Sequence, residues 1–198
     1  HGGTGLTSAL AADDGEQLGG RLEDMSSFAK YIGGSPTNTA VGAARLGLRS
    51  ALVTRVGADH FGRYIREQLA REGVATDGVL TDAQRLTALV FLGIRDPDTF
   101  PLIFYRENCA DMALTVADID PALVRSARAV LVNGTHLSQP QVFEASLAAC
   151  RIAREAGARV VFDIDYRPVL WGLTRKDQGE NRYVADAGVT ARLQQVLP

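Results

Sequence analysis

From Tyr31 onward, apolar and polar positions follow a regular rhythm along the chain. Ser35 suits a helix N-cap and Pro36 the first helical position, and Thr37 to Leu46 is small and Ala-rich up to Gly47. Ser50 to Val56 (SALVTRV) has the apolar, β-branched texture of a strand. Asp59 can cap a helix from His60 to Glu72, where Phe61, Tyr64, Ile65 and Leu69 recur at helical spacing and Gly73 marks the stop. Leu86 to Ile94 (LTALVFLGI) and Pro101 to Tyr105 (PLIFY) are β-like runs joined by RDPDTF. The Asp-Pro-Asp in that joint is turn chemistry, which predicts a hairpin. A short helix over Asp118 to Arg125, with Pro121 in its first turn, precedes a buried-type strand at Ala129 to Val132. Ser138 and Pro140 open a long helix ending near Ala156 and Gly157, and Arg159 to Ile164 (RVVFDI) is another buried-type strand. The closing run VTARLQQVLP reads as a helix cut off at Pro198, the mark of a piece of a longer protein. Strand, helix and strand thus alternate twice with a hairpin between, the pattern of an α/β domain built on a parallel sheet.

Composition narrows the function classes. The 198 residues are 46% hydrophobic and 22% charged, with 21 basic and 23 acidic residues and a formal charge of −2. That is the profile of a folded globular chain, with no basic face for nucleic acid and no apolar run long enough for a membrane span. No basic region followed by a long apolar stretch marks a signal peptide, so a cytoplasmic location is expected. Cys109 and Cys150 lie far apart and make no metal-spaced pair; both read as unreactive thiols in a reducing compartment.

Several segments carry candidate chemistry. Gly33-Gly34-Ser35-Pro36-Thr37-Asn38 combines two glycines, which let backbone approach a ligand, with a helix start and an amide able to pair with a hydroxyl. The alternative is a plain helix entry. Asp163, Asp165 and Arg167 follow the last buried strand, where ligands of open α/β sheets bind. A guanidinium there suits phosphate or carboxylate, unless Asp165 and Arg167 simply pair with each other. Tyr105 and Arg106 end the hairpin, so Arg106 either reaches over a cleft to an acid or is a loop charge. His136 follows the strand AVLV and is either structural or in contact with a ligand, and His60 reads as helix surface. Asn133-Gly134-Thr135 spells a glycosylation sequon, discounted because it ends a buried strand. No Gly-Lys-Ser/Thr occurs, so there is no Walker loop.

The order of these residues resembles the ribokinase-like (PfkB) family of carbohydrate kinases. GGSPTNTAVGAARLG followed by VTRVGADHFGRYIREQLAREGV is similar to that family's first signature region. RLEDMSSFAKYIGGSPTN, TFPLIFYRENCADMAL and DIDYRPVLWGLT resemble the branch that phosphorylates 5-dehydro-2-deoxy-D-gluconate in myo-inositol breakdown. The resemblance covers about residues 18 to 198 and leaves 1 to 17 as a non-matching segment.

It implies a doubly wound parallel sheet with a small β-hairpin lid at about 86 to 105, truncated on its C-terminal side. It further implies that Gly33, Gly34 and Asn38 bind the sugar and that Arg106 and Tyr105 come from the lid to its carboxylate. Arg167 would lie near the transferred phosphate with Asp165 beside it. ATP and Mg2+ are the implied cofactors, a sugar acid the small-molecule partner, and a homodimer through the lid the implied assembly. The family's sugar-gripping Asp on a first strand has no convincing counterpart here, Asp13 and Asp14 included. The family's catalytic Asp sits in a Gly-Ala-Gly-Asp motif, and none occurs in these 198 residues. On this reading no catalytic residue is expected in the chain and the piece is inactive alone. Two alternatives stay open: a kinase for another sugar acid such as 2-keto-3-deoxygluconate, and a non-catalytic sugar-acid binding or dimerisation module.

Overall fold

A computed structural model describes residues 7–12, 21–93, 101–177, 181 and 183–196. Its strands are β1 (Thr7–Ala12), β2 (Phe28–Gly33), β3 (Ser50–Ala51), β4 (Thr54–Gly57), β5 (Val74–Ala75), β6 (Val79–Asp82), β7 (Leu89–Leu92), β8 (Leu102–Tyr105), β9 (Ala129–Asn133) and β10 (Arg159–Asp163). Its α-helices are α1 (Ser35–Arg45), α2 (His60–Arg71), α3 (Pro121–Ser126), α4 (Pro140–Glu155) and α5 (Ala187–Gln194). Parallel ladders join β3 to β5, β4 to β6 and β9 to β10. Among the described residues, no helix is long and apolar enough to cross a membrane.

Two apolar cores hold the helices to these ladders. Val130 and Val132 of β9 pack with Val142, Ala145, Ala149 and Ala153 of α4, and Cys150 is buried in the same cluster as its helical position predicts. Ile65 and Leu69 of α2 pack on Leu52, Val56, Val74 and Val79, with Ala40 of α1. Of the expected stripe, Ile65 and Leu69 enter the core, while Phe61 and Tyr64 are half-buried against Lys30, and the Asp59 side chain accepts from the Gly62 N–H at 2.9 Å to cap the helix. Gly47, Gly73 and Gly157 follow α1, α2 and α4 with φ of 82°, 75° and 74°, as expected for helix stops.

The hairpin forms, but within a larger sheet. β7 and β8 pair antiparallel, β1 runs parallel to β7, and β2 lies antiparallel on the far side of β1. The lid is therefore a four-stranded sheet in the order β2-β1-β7-β8, not a lone hairpin. β1 lies in the segment read as unmatched, where its small side chains gave no β signal. β7 is also shorter than Leu86 to Ile94, because Thr87 is drawn elsewhere. Asp59 accepts from the Thr87 N–H at 2.7 Å and from its hydroxyl at 3.0 Å, while that hydroxyl accepts from the Gly57 N–H at 2.9 Å. Ile94 and the RDPDTF turn lie outside the described residues.

Other boundaries moved for equally local reasons. The strand expected over Ser50 to Val56 divides at Leu52 and Val53, opposite a turn closed by Val79 N–H to Thr76 O at 2.9 Å. The helix expected from Asp118 starts at Pro121, capped by Asp120. Asp118 is engaged by Arg55 at 2.7 and 3.0 Å and closes a capping box on Thr115. Neither expected serine caps its helix. Gln139 stands at the cap of α4, and the buried Ser138 hydroxyl finds no partner among the described residues.

Candidate functional site

At α1 the cap position falls to Gly34, whose φ of 95° a side chain would strain. Ser35 is the first helical residue, and its hydroxyl donates to Asp163 Oδ2 at 2.6 Å instead of capping the helix. Asn133 Nδ2 donates to the same oxygen at 2.9 Å. Asp163 therefore ties the glycine turn to the carboxyl ends of β9 and β10. Asn133 is fully buried by these bonds, which agrees with setting the sequon aside. Gly134 brings the two strand ends together, since a Cβ there would meet the Ile164 carbonyl oxygen at 2.0 Å.

The result is a cleft of about 760 Å³ between the four-stranded sheet and these strand ends. Gly33, Gly34, Asn38, Arg106, His136, Asp165 and Arg167 all line it. Ile32, Val90, Leu92, Leu102 and Phe104 supply an apolar wall. Tyr105 does not join them. Side chains alternate along β8, so Phe104 faces the cleft while Tyr105 turns to the outer face, 57% exposed and edge-on to Phe91. The expectation that Tyr105 comes to the substrate from the lid is thus not met by its position.

Arg106 is no loop charge: it is 4% exposed. Its Nη2 faces Asp111 Oδ2 and His136 Nε2, and His136 Nε2 lies 3.0 Å from the same carboxylate oxygen. Asp111 was not foreseen. The signal available was an acid five residues after Arg106, isolated within the apolar run CADMAL. Burial alone would push the Asp111 carboxyl up, but Arg106's charge and the His136 bond outweigh it and hold it below the usual range. Burial, then Arg106's charge, pushes His136 down, so the imidazole is neutral. Arg106 Nε, Asp111 Oδ1 and His136 Nδ1 find no partner among the described residues.

Beside this cluster, where Thr135 adjoins His136, Arg167 Nη1 lies 2.5 Å from Asp165 Oδ1, the internal pair weighed as an alternative. Thr135 Oγ1 donates to Asp165 Oδ2 at 2.5 Å. Asp165 has a φ of 29°, uncommon for a residue with a side chain. The remaining candidates behave as read. His60 is exposed on α2, and Cys109 is buried, its thiol pushed up to about 11 chiefly by that burial. Among the described residues, no three or more His, Cys, Asp or Glu side chains gather as a metal site.

The neutral His136 gives a signed pH prediction. In the unfolded chain a histidine takes up a proton as pH falls through about 6.5. In the native protein the depressed His136 does not, so protons favour the unfolded state. Stability is full above about 6.5 and falls as pH drops below it. The Asp111 contribution is lost only at still lower pH, below the ordinary aspartate range. Urea midpoints measured from pH 7.5 to 5 should decline in the wild type, and His136→Gln should flatten that segment.

Comparison with known proteins places these features in one group. The family model described as pfkB family carbohydrate kinase matches residues 5–185. The chain is 41% identical over 151 residues to the 5-dehydro-2-deoxygluconokinase of Shouchella clausii (strain KSM-K16), covering 76% of this chain and 46% of that protein. The same identity and length hold for the 5-dehydro-2-deoxygluconokinase of Geobacillus kaustophilus (strain HTA426), at 76% and 45% coverage. The chain thus spans about half the length of the curated relatives it matches. Among solved structures, a PfkB protein from Polaromonas sp. JS666 superimposes with a TM-score of 0.84 at 30% identity, over 98% of this chain and 61% of that one. A fructokinase with bound ATP from Xylella fastidiosa gives 0.79 at 28% identity, over 98% and 56%.

Proposed function

Because this chain belongs to the pfkB family of carbohydrate kinases, we propose that its cleft is the acceptor site of an ATP-dependent kinase for 5-dehydro-2-deoxy-D-gluconate. The observation that carries this reading is the gathering of a glycine turn, an amide and two guanidiniums in one cleft with an apolar wall. Gly33, Gly34 and Asn38 would meet the sugar hydroxyls, Arg106 its carboxylate, and Arg167 the transferred phosphoryl group. Phosphoryl transfer depends on such positioning and on neutralising phosphate charge. The relatives named 5-dehydro-2-deoxygluconokinase support the choice of acid, and the ATP-bound fructokinase supports ATP as donor. Mg2+ would enter with the nucleotide, since such enzymes hold it through one or two carboxylates together with the substrate phosphates.

On this reading the residues from 5 onward, where the family match begins, belong to the N-terminal part of the kinase domain, and phosphorylation of the sugar acid belongs to myo-inositol catabolism in the cytoplasm. The outer face of the lid, with exposed Tyr105 beside Phe91, would be the contact of a homodimer. Asn38 offers the sharpest test of the sugar site, because it is exposed on α1. Asn38→Ala is expected to weaken the sugar acid by about 1–2 kcal/mol, the range of a single hydrogen bond left unmade. Calorimetric titration of the sugar acid checks this, and an unchanged affinity removes the hydroxyl contact.

A further inference from the structure

The cleft presents two guanidiniums, and each already faces a carboxylate of the same chain. The pairs differ in how readily they open. Asp111 is buried and shared with His136. Asp165 and Arg167 lie on the cleft wall, with 13% and 16% of their side chains exposed. Thr135 holds the second oxygen of Asp165 from behind, so the acid is kept against Arg167 by a short tether.

We propose that Asp165 is an internal competitor for Arg167. It raises the threshold for any anion at that guanidinium, keeping a singly charged carboxylate off and yielding to a phosphoryl group. This rests on reading the cleft as a site for a sugar acid and ATP. An incoming carboxylate carries the same charge as Asp165 but loses translational freedom that the tethered acid does not. A phosphoryl group brings about −1.5 to −2 charges and three acceptor oxygens, enough to displace a single carboxylate. A sugar acid bound with its carboxylate at Arg167 is thereby discouraged.

Asp165→Asn tests this in the protein at its full natural length. Asn keeps the shape and tolerates a positive φ. Asp165→Gly removes the acid with no demand on the backbone, so either variant can decide the question. Inorganic phosphate and acetate, titrated by calorimetry, should each bind about tenfold tighter to both variants, the scale of a charge-assisted hydrogen bond released. Adding Arg167→Gln to Asp165→Asn should abolish the gain. Unchanged affinity for both anions, or a gain that survives Arg167→Gln, overturns the proposal. The two probes involve neither sugar nor turnover, so the result is independent of whether the sugar-acid kinase reading holds.

Discussion

Arg106→Ala is expected to destabilise the protein by about 3–5 kcal/mol, the range for removing one partner of a buried ion pair. The cause is Asp111. With Arg106 gone, a carboxylate only 2% exposed keeps the neutral His136 as a polar neighbour and loses its counter-charge. Arg106→Ala combined with Asp111→Ala should recover much of the loss, because both charges then leave together. Urea denaturation of the two single variants and the double variant reads the coupling. An additive double variant would mean that the two side chains do not act as a pair. In a protein that stays folded, Arg106→Lys should also weaken the sugar acid, because an ammonium lacks the planar fork that binds a carboxylate.

Arg167→Ala should have the largest kinetic effect. Its guanidinium stands at the cleft wall where β10 ends, the position proposed for the transferred phosphate. Removing a preorganised charge of that kind costs about 10²–10³ in kcat. The KM for the sugar acid should change little, since its carboxylate is assigned to Arg106. Steady-state kinetics at full natural length separates the two constants. A raised KM with unchanged kcat would move Arg167 from the phosphate to the sugar acid.

Much of this architecture was legible because its causes are local. Ile65 and Leu69 of the α2 stripe, its Asp59 cap and the stop glycines need only helical period and backbone freedom, and these stand where the sequence places them. β9 and β10 were legible as short apolar runs, within a residue at their C-terminal ends. What failed depended on partners distant in sequence. Ser35 lost its cap role to Asp163, which lies 128 residues away. Thr87 left its strand for Asp59. β1 is small-residue-rich apart from Leu10, and its strand character comes from pairing with β2 and β7. In the site, Gly33, Gly34, Asn38, Arg106, His136, Asp165 and Arg167 could be singled out by residue type and by position at element ends. Asp111 could not, because a lone acid in CADMAL acquires meaning only when the fold brings Arg106 and His136 to it. Tyr105 was misplaced by a single residue of β8, since successive side chains point to opposite faces.

The central claim is that this cleft receives a sugar acid for phosphorylation. The most direct measurement is ADP release by the purified protein at its full natural length, given ATP, Mg2+ and 5-dehydro-2-deoxy-D-gluconate. The 198-residue chain serves as the parallel sample. The full-length protein should turn over at about 1–100 per second, the ordinary kinase range. Fructose should be a much poorer acceptor, because it offers no carboxylate to Arg106, and the 198-residue chain, without a Gly-Ala-Gly-Asp segment, should release no ADP. Turnover that is equal on fructose, or that the 198 residues sustain alone, would contradict the account.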